Sequence, residues 1–364
     1  MNLLGIGMVF RGGRGIDCYE NALKQGWQPP VECEIRHLNK RLPVYVVADE
    51  TLADKLLLKK MRRADRFSKM AVLAAADALR DSGLESDGQR TGVILATSLG
   101  AHQTTFDFLD DIIDYGEGQV SPTIFSNSVH NAAVSYITSV LDITGPTLTV
   151  TRFSFAFQSA LQLAQLWLAD RRCDSVLVGA ADQCGEVMRY IFDRKLATAA
   201  DGKVRPFNFS PPAPPVPGEG SVFFVVSGRT SENVYCSIDS LDFGGPRAEK
   251  EVPDVDIIDS DGTVDWAAYL KGLLPSVPVA AYAPVFGSLL TCSAFNCAAG
   301  ALMIRKQMHY ASPVVENPHA INLLGVTRPA RIDLIRSIGY NCSSECAVVR
   351  LKKPTLTSSE SAPI

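Results

Sequence analysis

The chain has 364 residues, 46% hydrophobic and 20% charged, enough for one large packed unit or two fused domains, and disorder is excluded for most of its length. A net charge of -4 leaves no electrostatic footprint for nucleic acid or for an anionic membrane surface. Nine cysteines occur without a CxxC pair or zinc spacing, so reduced thiols in a cytoplasmic protein are expected, and no metal site.

The opening MNLLGIGMVF is apolar but lacks a basic leader and breaks at Arg11, Gly12 and Gly13, so it reads as a first strand and not a signal peptide. No other apolar run reaches the length of a membrane span. Residues 14–60 have mixed polarity, with Pro29, Pro30 and Pro43, and yield no clear element. In 61–83, Phe67, Met70, Ala71, Ala74 and Ala78 recur at helical spacing and predict an amphipathic helix stopped by Gly83. TGVILAT, Thr91–Thr97, predicts a buried strand. Residues 104–115 predict a helix with Phe106, Leu109, Ile112 and Ile113 on its apolar side and four aspartates on a solvated face. SPTIFSNSVHNAAVSYITSVL then passes through a proline turn into an apolar helix stopped by Gly145 and Pro146, and His130 within it reads as structural.

Thr147–Thr151 predicts a short buried strand, followed by a tight turn and a buried helix starting at Ser154. Apolar residues surround that helix, interrupted by a stripe of Gln158, Gln162 and Gln165. Its first residue would sit in a pocket, where free N–H groups and the helix dipole stabilise a thiolate or oxyanion. Ser154 is therefore the candidate nucleophile, and a serine hydroxyl needs a neighbouring base. A strand over 175–181 completes a strand–helix–strand unit with parallel pairing. RPFNFSPPAPPVP, 205–217, predicts a stiff surface connection before the strand GEGSVFFVV. A second alternation follows, with strands at 235–238 and Val255–Ile258, helices at 266–273 and 294–307, and a last strand at 347–351; residues 354–364 predict a frayed tail.

GPTLTVT, the turn and SALQLA resemble the active-site segment of β-ketoacyl synthases of the thiolase superfamily, whose turn carries a nucleophilic cysteine in a pattern like TACSSS. Read without gaps from Gly145 and Pro146, the cysteine position falls on Ser154. The resemblance covers about 61–352 and implies an α/β, thiolase-like, duplicated α-β-α-β-α five-layered fold, with halves at 1–230 and 231–353, although no sequence repeat is visible. The family's PNAHGT falls on DIIDSDGT, placing Asp261 at the histidine, and its GHxxGAAG falls on SAFNCAAG, placing Ala294 at the second histidine. The lysine before that motif becomes Leu289. The family's glycine gate, SFGFGG, becomes Ser337, Ile338, Gly339, Tyr340, Asn341 and Cys342, so Ile338, Gly339 and Tyr340 form the gate loop. Asp259 and Asp261 do not complete a calcium loop.

A chain that keeps this scaffold and loses every catalytic group resembles the chain length factor, or ketosynthase β subunit, of type II polyketide synthases. That implies a non-catalytic subunit forming a heterodimer with an active ketosynthase through Thr147–Thr151, with 104–113 and 124–134 lining a shared tunnel. Phe106, Leu109, Ile112, Phe125 and Val129 are the chain-length candidates, with filling of this chain's own core as the open alternative for each. Many such subunits carry glutamine where this chain has Ser154. The resemblance implies substrates carried on the phosphopantetheine of an acyl carrier protein, with no other cofactor. The alternative is an acyltransferase or hydrolase that uses Ser154 as nucleophile, with Asp261 as its base.

Overall fold

A computed structural model describes residues 1–84, 88, 90–229, 234–244, 251–270 and 273–354. The expected tail from residue 355, and residues 271–272 of the expected helix at 266–273, lie outside the described residues.

Five strands come from the first part of the chain: β1 (Asn2–Phe10), β2 (Thr91–Thr97), β3 (Thr147–Thr151), β4 (Ser175–Asp182) and β5 (Gly220–Ser227). Five more follow: β6 (Cys236–Gly244), β7 (Val255–Ile258), β8 (Val279–Ala280), β9 (Leu334–Tyr340) and β10 (Cys346–Lys352). Across the sheet they run β3-β2-β4-β5-β1-β6-β10-β9-β7-β8. In the first part β1/β5 and β5/β4 are antiparallel, whereas β4/β2 and β2/β3 are parallel. The second repeats that pattern strand for strand, with β6/β10 and β10/β9 antiparallel and β9/β7 and β7/β8 parallel. The two parts join where Asn2 faces Ser237 and Leu3 faces Cys236.

The helices that matter for the site are α1 (Arg66–Ser82), α2 (His102–Tyr115), α3 (Pro122–Asn127), α4 (Ala132–Leu141), α5 (Ala156–Ala169) and α6 (Cys292–Lys306). Strand side chains alternate between faces, so β5 sends Phe223 and Val225 toward α1 and α4, and Val222, Phe224 and Val226 toward α5 and α6. In the second part Ile335, Val349 and Leu351 meet that same central core, while Ile338, Cys346 and Val348 pack outward on Phe207, Phe209 and Trp266. Helices, strands, helices α5 and α6, strands, and an outer cover around Trp266 thus make five layers.

Helix α1 begins five residues later than expected because the Asp65 carboxylate caps it, accepting from Ser68 N at 2.8 Å, and it ends at Gly83 with φ 64°. It lies unusually close to β1: a Cβ on Gly7 would stand 2.1 Å from the Ala74 carbonyl oxygen, so only glycine fits there.

Four other expectations change. Thr147–Thr151 is not buried: it is the outermost strand, paired within the chain to β2, and Leu148 is 40% exposed. β3 and β4 are parallel, but β2 lies between them. Residues 205–217 are no mere surface connection, because Phe207, Phe209 and Val216 are fully buried and Ala213 N donates to Gly262 O at 2.9 Å. Residues 14–60 form a helix at Ile16–Gln25 and a hairpin of Val31–Ile35 with Lys40–Val44, which weak periodicity concealed.

Candidate functional site

The chain leaves β3 with Arg152 N donating to Thr97 O at 3.2 Å, and turns through Phe153, Ser154 and Phe155. Phe155 takes the left-handed conformation, φ 58° and ψ 30°, so helix α5 starts at Ala156, two residues after Ser154. That conformation costs a non-glycine residue about 1–2 kcal/mol, and the packing of Phe155 against Phe243 (ring centroids 6.3 Å apart) and its place in the cleft wall oppose relaxation. Ser154 therefore stands before the helix and not on it.

The turn opens on a cleft of about 410 Å³. Phe153, Phe155, Phe192, Leu289, Leu290 and Tyr340 supply apolar wall, and Ser154, Ser288 and Asp261 supply polar groups. Of the expected degenerate positions, Ser154, Asp261 and Leu289 come together here, whereas Ala294 is fully buried in α6 outside the lining. The Asp261 carboxylate accepts from Thr263 N at 3.0 Å and from Thr263 Oγ1 at 2.6 Å. It is turned onto its own loop and does not engage Ser154. Among the described residues no histidine, lysine or arginine lines the cleft.

The floor carries a polar cluster. Asp259 Oδ1 accepts from Asn296 Nδ2 at 2.7 Å, Oδ2 receives a long contact from Gln158 Nε2 at 3.4 Å, and Ser293 Oγ reaches Gln158 Oε1 at 3.3 Å. Burial pushes the Asp259 carboxyl up to about 7, against the two amide donors that lower it. Cys292, at the first turn of α6, is half-buried and also lines the cleft; desolvation, with Asp259 and Asp261 beside it, pushes its thiol well up.

Residues 4–231 match the family model for the N-terminal domain of β-ketoacyl synthases. The chain belongs to the β-ketoacyl synthase family. This ketosynthase-family chain is 23% identical over 186 residues to 3-oxoacyl-[acyl-carrier-protein] synthase 2 of Coxiella burnetii, a match covering 50% of this chain and 45% of that protein. It therefore spans less than half the length of that relative. It is also similar in structure to the ishigamide ketosynthase/chain length factor, with TM-score 0.77, 17% identity and coverage of 97% of this chain and 99% of that one. A second similar structure is AntDE:AntF, a type II PKS acyl-carrier protein in complex with its ketosynthase bound to the hexaketide, with TM-score 0.78, 14% identity and the same coverages, 97% and 99%. The fold is thiolase-like α/β.

In this ketosynthase-family chain the expected gate residues Ile338, Gly339 and Tyr340 end strand β9. Ile338 is buried in β9, and Gly339 and Tyr340 line the cleft. Tyr340 packs on Trp266 and Tyr269, with ring centroids 5.3 and 5.5 Å away. Asn341, in place of a family glycine, closes the following turn: its Oδ1 accepts from Ser343 N and Glu345 N, both at 3.0 Å. Phe106, Leu109, Phe125 and Val129 are exposed, with Phe125 at 58%, and Ile112 is half-buried. None of the five belongs to a core cluster of the described residues, and Phe125 packs on Phe108 of the neighbouring helix, with ring centroids 5.4 Å apart. His130 is exposed and lies against Gly100. The sequence reading gave no site role to Gln158, named only as part of a polar stripe, or to Ser293, Asn296 and Cys292; a polar residue inside an otherwise apolar helix was the available signal.

Proposed function

We propose that this chain is a non-catalytic, chain-length-factor type of subunit that forms a heterodimer with an active ketosynthase and shapes the tunnel in which an acyl chain grows. The observation that carries this reading is the cleft lining: a hydroxyl at the nucleophile turn, no histidine, lysine or arginine among the described lining residues, and an Asp261 carboxylate hydrogen-bonded to Thr263. The face beside it supports a partner. Among the described residues no strand pairs the outer edge of β3, which makes it a template for strand pairing, and Leu148, Phe153 (72% exposed), Phe106, Leu109 and Phe125 expose apolar surface. Lys55, Lys59, Lys60, Arg62 and Arg63 form an exposed basic stretch suited to a carrier protein with acidic side chains. On this reading Ser154, Asp261, Ala294 and Leu289 perform no chemistry, and substrates arrive on the phosphopantetheine of the carrier protein.

The test is co-expression with an active ketosynthase and intact-mass analysis after incubation with malonyl and acyl carrier protein thioesters. The expected result is co-purification of the two chains and no acyl adduct on this one. An adduct on the wild type that Ser154→Ala abolishes would replace this reading with an acyltransferase or hydrolase.

A further inference from the structure

The cleft has an electrostatic character of its own. Two carboxyl groups, Asp259 and Asp261, line it, and among the described residues no cationic side chain does. Aromatic rings supply much of the rest of the wall: Phe153, Phe155, Phe192 and Tyr340. The negative faces of such rings attract cations, most strongly where water is excluded.

Asp259 is incompletely satisfied in a directional way. Its Oδ1 is held by Asn296 at 2.7 Å, but Oδ2 has only the Gln158 contact at 3.4 Å, beyond the range of a good charged hydrogen bond. Asp259 is half-buried and, among the described residues, has no counter-charge beside it, and its partial desolvation raises its proton affinity. Position 339 keeps the neighbourhood of this oxygen clear: a Cβ on Gly339 would stand 3.2 Å from Asp259 Oδ2 and 3.0 Å from Gln158 Nε2. The floor thus pairs an under-satisfied acceptor with room above it, beneath apolar walls.

We propose that the cleft binds the ammonium end of an aliphatic amine, with the ammonium donating to Asp259 Oδ2 and the hydrocarbon lying along the phenylalanine and leucine walls. Anionic acyl groups are repelled by the same two carboxylates. The inference stands apart from the partner reading, because the cleft lies within one chain and its occupancy is measured without a ketosynthase.

The test is calorimetric titration of the full chain at pH 8 with three probes of equal chain length: hexylammonium, 1-hexanol and hexanoate. Hexylammonium should bind about tenfold or more tightly than hexanol, as expected where an ion pair adds to the hydrogen bond with the carboxylate, and hexanoate should give no saturable heat. Asp259→Asn, which keeps the side-chain shape and the acceptor for Asn296, should remove the preference for hexylammonium over hexanol. A circular dichroism spectrum and denaturant midpoint at low pH matching the wild type show the variant to be folded. Gly339→Leu should block all binding. The proposal is overturned if hexylammonium binds no better than hexanol, if hexanoate binds as well, if the ammonium preference survives Asp259→Asn, or if no probe binds. Failure on any of these counts leaves co-purification with a ketosynthase, and hence the partner reading, untouched.

Discussion

The cleft and the outer face of the first five strands lie at the two sides of one short turn, yet they are built on opposite rules. Behind the turn, Gln158, Asp259, Ser293 and Asn296 bond to one another, leaving Asp259 Oδ2 with only a long contact from Gln158. In front of it, β3, α2 and α3 expose apolar side chains and a strand edge that no described strand pairs. The first region pairs its polar groups with one another, and the second exposes apolar side chains to solvent.

The sharpest break is on the face. Leu148→Asp with Phe153→Asp should abolish co-elution with a partner ketosynthase in size-exclusion chromatography while circular dichroism stays native, because charges on an edge strand oppose pairing. Retention of the complex would place the partner elsewhere.

On the cleft side, Asp259 makes stability depend on pH. Its folded carboxyl titrates at about 7 against an ordinary value of 3.8, so the folded state holds the proton more tightly and the stability it contributes is fully present at low pH. That contribution falls as pH rises from about 4 and is lost once pH has passed about 7. The groups facing it, Asp261, Cys292 and Cys297, carry no positive charge to offset the loss. Denaturant melts should therefore show wild-type stability declining by a few kcal/mol across that window, and Asp259→Asn should flatten the decline. An equally steep slope in the variant would show that Asp259 is not its source.

Smaller effects sharpen the contrast. In the complex, Phe125→Ala should shift products toward longer chains and Phe125→Trp toward shorter ones, read by mass spectrometry; unchanged products from both would remove α3 from the tunnel. Cys342 is exposed whereas the Cys292 thiol is held protonated, so iodoacetamide at pH 8 should modify Cys342 first. Ser154→Ala should alter product formation by less than about twofold, within the range of a surface substitution without a chemical role.

Much of the architecture was legible in order: periodicity gave α1, β2, α2 and the helix after the turn, and the motif strings placed Ser154, Asp261 and Leu289, which the fold then gathers in one cleft. The repeat was not legible. Strand order and direction recur between the two parts although the residues do not, since packing demands only apolar character at alternating positions. Asp259 was visible only as half of a rejected calcium loop, because nothing in linear spacing shows that Asn296 and Gln158 converge on it.

By itself the sequence indicated where most strands and helices form, and its motif strings set Ser154, Asp261, Ala294 and Leu289 at the positions where the family resemblance places catalytic groups, because those readings depend on local periodicity and on residue identity. Only the tertiary structure decided that β3 is an exposed edge and not a core strand, that Phe155 bends the chain before α5, and that the half-buried Asp259 lines the cleft with Asp261. Edges, turns and desolvation depend on which distant segments come to lie alongside, and that is a property of the packed chain.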